Sequence, residues 1–156
     1  MAAIDREAVY VALFDRLKLK LAGDVQFFTR AHLATTECPV QPALVMVAST
    51  QSAEQDLGTP PVWTLGAEVL LYVKTANVAS PDTLLHALVR KIEDALLYQH
   101  PEKVGPGELR HTTLGGLCQY AVIGGDVEFE PGIATGQAVV GIPVSMVVAE
   151  TVEVGL

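Results

Sequence analysis

Val62–Thr75, VWTLGAEVLLYVKT, and Ser80–Leu97, SPDTLLHALVRKIEDALL, decide how this chain folds. In the first stretch Trp63, Leu65, Ala67, Val69, Leu71 and Val73 alternate with Thr64, Gly66, Glu68, Leu70, Tyr72 and Lys74. A period of two marks a long strand with one buried face. In the second stretch Ser80 stands at a helix cap and Pro81 at the first helical position. Leu85, Leu88, Ile92, Ala95 and Leu96 then share one helical stripe, while Arg90, Lys91, Glu93 and Asp94 lie elsewhere. A one-sided strand followed by a one-sided helix predicts a helix packed on a sheet.

The elements outward from that pair follow the same logic. Asp5–Leu21 predicts a first helix, with Asp5 as its cap and Tyr10, Leu13, Phe14, Leu17 and Leu21 on one side. The lysines near its end read as a solvated face that complements the helix dipole. Gln26–His32 reads as a short strand, Thr35–Gln41 as a loop, and Ala43–Ala48 as a compact apolar strand near the sheet interior. Long loops are expected at about 49–61 and 100–117, where proline, glycine and polar residues leave no period. Cys118–Glu130 predicts a strand with a bulge at Gly124-Gly125. Ala138–Val148 predicts another, with Pro143 marking an edge. The order α-β-β-β-α-β-β gives a single α+β domain over residues 1–156, a mostly antiparallel sheet with two helices on one face.

Composition narrows the function. Half of the 156 residues are hydrophobic and 18% are charged, so the chain can bury a core. Glu68 and Lys74 interrupt the best apolar run, so no membrane span is expected, and MAAIDREAVY lacks the pattern of a signal peptide. Synthesis in the cytoplasm is the expectation. The net charge of −8 argues against gripping nucleic-acid phosphates. Cys38 and Cys118 form no C-x-x-C pair and read as buried thiols.

Catalytic patterns are missing from the sequence. His32, His86, His100 and His111 show no metal-ligand spacing, and no G-x-S-x-G elbow, P-loop or G-x-G-x-x-G motif occurs. The more informative residues stand on surfaces. Asp126, Glu128 and Glu130 share one strand, and Glu150 and Glu153 follow the next. They read either as a solvated sheet face or as an acidic wall along a passage. Leu70, Tyr72, Val139 and Val147 are apolar where a solvated face would be polar. Either a neighbouring subunit or the chain's own loop covers them.

Several phrases taken together resemble the tail terminator proteins of tailed bacteriophages. They are AIDREAVYVALFDRL (3–17), QPALVMV (41–47), the WTLGAEVLLYVKT strand leading into the SPDTLLHALVRKIEDAL helix, and IGGDVEFEPG (123–132) followed by GQAVVGIPVSMVV (136–148). The likeness covers nearly the whole chain and lies in the joint order of these phrases. It implies a structural virion protein of the tail–head junction, from a phage or prophage and made in the bacterial host. Six copies would form a hexameric ring on the head-proximal end of the tail tube, stop tube polymerisation and present a docking surface for the head. The implied partners are further copies of the chain, the tail tube protein and a head completion or connector protein. DNA passes through without specific binding, no membrane takes part, and no enzyme activity, catalytic residue, cofactor or metal is implied.

On that reading Asp126, Glu128 and Glu130 line the lumen, and Leu70, Tyr72, Val139 and Val147 form the subunit interface. Gln51, Glu54, Asp56, Lys103, Arg110 and His111 contact tube or head. The rivals are another phage neck component, such as a head–tail joining or tail completion protein, a monomeric binding module, and a small cytoplasmic enzyme built on His86, Asp94 and Glu128.

Overall fold

The computed structural model describes residues 4–34, 37–75, 80–97, 110–132 and 136–149. Helix α1 (Arg6–Leu21) begins as its sequence requires, with the Asp5 carboxylate accepting from the Ala8 amide at 3.0 Å. It buries Val9, Tyr10, Leu13, Leu17 and Leu21. Helix α2 (Pro81–Ala95) follows Ser80 and buries Leu85, Leu88, Val89, Ile92 and Ala95. The Ser80 hydroxyl bonds the Thr83 hydroxyl at 2.8 Å rather than a backbone amide.

Among the described residues six strands make one sheet: β1 (Phe27–Thr29), β2 (Ala43–Glu54), β3 (Val62–Lys74), β4 (Tyr120–Ile123), β5 (Glu128–Glu130) and β6 (Gln137–Ala149). Their order across the sheet is β1-β2-β3-β6-β4, with β5 paired to β6 beyond β4. Only β1 runs parallel to its neighbour; the other pairs are antiparallel. The α+β class and the element order expected from the sequence are therefore present. The alternation read in Val62–Lys74 holds, since Leu65, Ala67, Val69, Leu71 and Val73 are all buried under the helices. Ala138, Val140, Ile142, Val144, Met146 and Val148 of β6 face the same core.

Three boundaries differ from the sequence reading. The first sheet strand has three residues instead of the Gln26–His32 span. Strand β2 does not stop at Ala48 but continues to Glu54, so the connection to β3 is a hairpin tip at 55–61 and not a loop from 49. A bulge hides this continuation: Ser49 and Thr50 together face Gly66, between the pairs Ala48↔Ala67 and Gln51↔Leu65. A Cβ on Gly66 would lie 2.8 Å from the Thr50 carbonyl oxygen, so the close approach needs glycine.

The third difference concerns the strand read as Cys118–Glu130, which is two strands on the same side of β6. The break falls at Gly124-Gly125, where the bulge was expected: Gly124 to Val127 face only Ile142 and Pro143. Strand β6 is thus not a sheet edge. The Pro143 carbonyl accepts from the Gly124 amide at 3.0 Å, which turns the missing proline N–H toward this break. No ladder hydrogen bond is lost there.

Candidate functional site

The helices cover one face of the sheet, and the other face carries the residues of interest. Even-numbered residues of β3 and odd-numbered residues of β6 point to this outer face. Near β1 the chain covers it with its own segment. Cys38, Ala43, Val45 and Tyr72 form a second buried cluster with Phe27, Leu33, Val47, Leu70 and Val139 packed against it. Tyr72 is only 5% exposed, and its hydroxyl donates to the Leu33 carbonyl at 3.0 Å. The cover over Tyr72 is therefore the segment between β1 and β2, which removes it from any surface offered to a neighbour. Leu70, Val139 and Val147 remain half-buried on the outer face.

A carboxylate sits among them. Glu68 lies beside Gly141, where an added Cβ would stand 2.7 Å from the Glu68 Oε1 and 3.6 Å from Leu70. Glu128 is the direct ladder partner of Gly141 on the other side. The absent side chain lets two carboxylates share one notch. Burial, and then the charge of Glu128, raise the Glu68 carboxyl above its ordinary range. Spacing alone gave no reason to single out Glu68. Its signal was a lone charge between apolar neighbours on the outer side of β3.

Asp126, Glu128 and Glu130 are all exposed, Asp126 in the break and the glutamates on β5. They form an acidic margin along that side of the sheet. Glu150 and Glu153 lie outside the described residues.

The residues expected to contact tube or head divide. Gln51 is not a loop residue. It sits on the helix side of β2, where its side-chain oxygen accepts from Arg6 Nε at 2.9 Å and its amide donates to the Tyr10 hydroxyl at 3.2 Å. Glu54 ends β2 and is exposed. Asp56 begins an ordered turn, its carbonyl accepting from the Thr59 amide at 3.1 Å and the Thr59 hydroxyl at 2.9 Å. The adjacent Leu57 is 105% exposed, an apolar side chain held out on a formed tip. Arg110 is exposed and His111 half-buried, the latter bridged through its backbone to Leu97. Lys103 and most of the expected arm at 100–117 lie outside the described residues, whereas Thr112, Leu114 and Cys118 are buried in the fold.

The enzyme constellation is not assembled. His86 on α2 meets the Phe129 ring edge-on at 5.0 Å, and Asp94 pairs with Arg90 at 3.4 Å. Glu128 points to the opposite face of the sheet from Phe129. Among the described residues no group of three or more His, Cys, Asp or Glu could hold a metal ion. No helix among them is long and apolar enough to cross a membrane. A cleft of 590 Å³ lies between the end of α2 and β4, floored by Leu96, Val122, Ile123 and Val127. Its polar rim consists of Arg90, Glu93, Asp94 and His111, with the cation already paired to both carboxylates.

What the fold and its surfaces define is a two-layer α+β domain whose distinctive features are faces, margins and a projecting hairpin. No protein-family model matches the sequence, and no curated protein matches it. In fold the chain is similar to a chain from the virion of a native gene transfer agent particle, with a TM-score of 0.52. The two are 9% identical, and the likeness covers 92% of this chain and 96% of the other.

Proposed function

We propose that this chain is a structural subunit of a phage-type virion. In this reading it forms a ring, a hexamer, that caps the head-proximal end of the tail tube. The ring ends tube polymerisation and presents the surface on which the head docks. The observation that carries the proposal is the likeness in fold, nearly end to end in both chains, to a chain of a gene transfer agent virion. The order of sequence phrases shared with tail terminator proteins supports it independently and supplies the terminator role.

The surfaces have parts in this scheme. Asp126, Glu128 and Glu130 line the lumen, where carboxylates repel DNA phosphates at short range and the duplex slides instead of sticking. The hairpin tip with Glu54, Asp56 and Leu57, and the region of Arg110 and His111, meet the tube or the head. Gln51 braces α1 and leaves this set. The subunit interface keeps Leu70, Val139 and Val147 and loses Tyr72. No cofactor enters, and the partners are further copies, the tube protein and a head completion or connector protein.

Negative-stain microscopy of the protein, alone and with tail tubes from the same source, tests the proposal. Rings, or caps at one tube end only, are the expected result. Absence of both would refute it and favour a different neck component, such as a head–tail joining or tail completion protein. Replacing Asp126, Glu128 and Glu130 together with lysine should leave assembly intact and impair DNA ejection; normal ejection would remove these residues from the lumen.

A further inference from the structure

The hairpin between β2 and β3 is formed without a partner. Strand β2 pairs with β1 only as far as Val45, and every residue from Ala48 to Pro60 is exposed. A strand exposed on both faces is normally mobile. Two features hold this one. At the tip the Thr59 amide donates to the Asp56 carbonyl, and the Gln55 side-chain amide donates to the Thr59 carbonyl at 3.0 Å. At the root the start of α1 clasps both strands. Arg6 donates through Nε to the Gln51 side chain at 2.9 Å, and its guanidinium lies over the Trp63 ring, 4.4 Å from the centroid. Gln51 in turn donates to the Tyr10 hydroxyl, which donates to the Gly66 carbonyl at 2.8 Å beside the bulge. Trp63 itself packs against the core.

The tip presents a definite chemistry. Leu57 projects fully, Glu54 and Asp56 are exposed near it, and residues 48–61 contain no Lys or Arg. An apolar side chain among carboxylates fits an apolar pocket with a basic rim. A second copy of this chain does not offer that pocket in the cleft at the end of α2, because Glu93 and Asp94 stand on its rim and occupy Arg90.

We infer that the hairpin tip seats this chain on the end of the tail tube, Leu57 entering an apolar, cation-rimmed pocket of the tube protein, with Arg6, Gln51 and Trp63 as positioning residues that fix the tip's direction. This rests on the cap reading above and specifies its tube contact. The tip is formed in the free chain, so it suits the first partner that reading requires, a tube end already complete when the cap arrives. Docking through an ordered tip avoids the entropy of ordering it on contact, and that is what the clasp contributes.

The test uses the full chain and tubes assembled from the tube protein of the same source. Affinity is read by co-sedimentation and tip order by hydrogen exchange. Leu57→Ser should weaken binding about tenfold or more and leave exchange over Gln51–Glu54 unchanged. Glu54→Lys with Asp56→Lys should weaken it too, and added salt should weaken the wild type. Arg6→Ala alters no part of the tip, yet it should weaken binding about three- to tenfold and speed exchange over Gln51–Glu54. Arg6→Lys, which keeps a cation near Trp63, should recover part of both. Full affinity in Leu57→Ser would overturn the tip contact, and unchanged affinity or exchange in Arg6→Ala would overturn the positioning role. In both cases wild-type caps on the tubes would leave the cap reading standing. A wild type that does not bind the tubes would overturn the contact and the cap together.

Discussion

Replacing Arg16 with methionine should cost this fold about 2–3 kcal/mol, although a sequence reading gives Arg16 no role. Arg16 is 8% exposed and lies on the inner side of α1. Its Nε donates to the Ala95 carbonyl and its Nη2 to the Leu97 carbonyl at 2.7 Å. These carbonyls stand at the end of α2, whose last turn contains no basic residue of its own. The guanidinium therefore acts as the missing C-terminal cation and satisfies two carbonyls that the helix leaves unpaired. Hydrogen bonds from a charged donor contribute roughly 1.5–3 kcal/mol each. Burying the guanidinium offsets part of that by a few kcal/mol, which brings the net to about 2–3 kcal/mol. Methionine keeps much of the aliphatic packing and removes only the donors. Urea unfolding should show a lower midpoint with an unchanged slope, and Tm should fall by roughly 5–10 °C for a chain of this length. Arg16→Lys should recover about half, since one ammonium can reach only one of the two carbonyls well. A methionine variant within about 0.5 kcal/mol of wild type would refute the capping argument.

Three other outcomes follow from local geometry. In the folded chain Glu68 holds its proton to a higher pH than in the unfolded chain, because burial and then Glu128 disfavour the charged form. Stability from this group is lost as pH rises through that raised range. Glu68→Gln should thus stabilise the monomer at pH 7, by less than about 1 kcal/mol after solvent screening, and not at all near pH 4; a loss of stability at pH 7 would contradict this. Gly66→Ala should cost about 1–2 kcal/mol in urea unfolding, because the new Cβ would stand 2.8 Å from the backbone oxygen of Thr50. A neutral or stabilising effect would mean that the bulge yields easily. Burial pushes the Cys118 thiol up to about 11 and raises that of Cys38, with Glu37 adding to the latter. At pH 8 Cys118 should react with a disulfide reagent about a hundredfold more slowly than in urea, and Cys38 more slowly than in urea; rapid labelling of both in the native protein would refute it.

The sequence reveals the centre of this fold better than its margins. Val62–Lys74 and Pro81–Ala95 are legible because each buries one side, from Leu65 to Val73 in the strand and from Leu85 to Ala95 in the helix, so burial writes its period into the residues. Strand β2 beyond Ala48 is not legible, since every residue from Ala48 to Pro60 is exposed and no hydrophobic pattern is required there. Leu70, Val139 and Val147 were visible as apolar residues in polar positions, but alternation cannot tell what lies above a sheet. For Tyr72 the cover turned out to be the segment before β2. Arg16 looked like one cation among several, because its partners are backbone carbonyls 79 and 81 positions away, which no local spacing encodes. Glu68 gained its interest from Glu128 across a glycine, a neighbour that only strand pairing supplies.

The break between β4 and β5 leaves the phase of the second strand to its register on β6. Four residues from Gly124 to Val127 pass two on β6, an excess of two, whereas the bulge in β2 adds a single residue. Beyond the break Phe129 points to the helices and Glu128 points away. What would exchange them is a one-residue slip of β5 along β6, which would set Glu128 against Val140 and turn it into the core. The length of the break does not decide this, just as the single extra residue in β2 leaves Ala48 and Gln51 both paired to residues on the helix side. Adding one or two residues at Gly125 should therefore lengthen only the loop, whereas a one-residue insertion between Glu128 and Phe129 should cost either the pairing of β5 or the acidic margin that it carries.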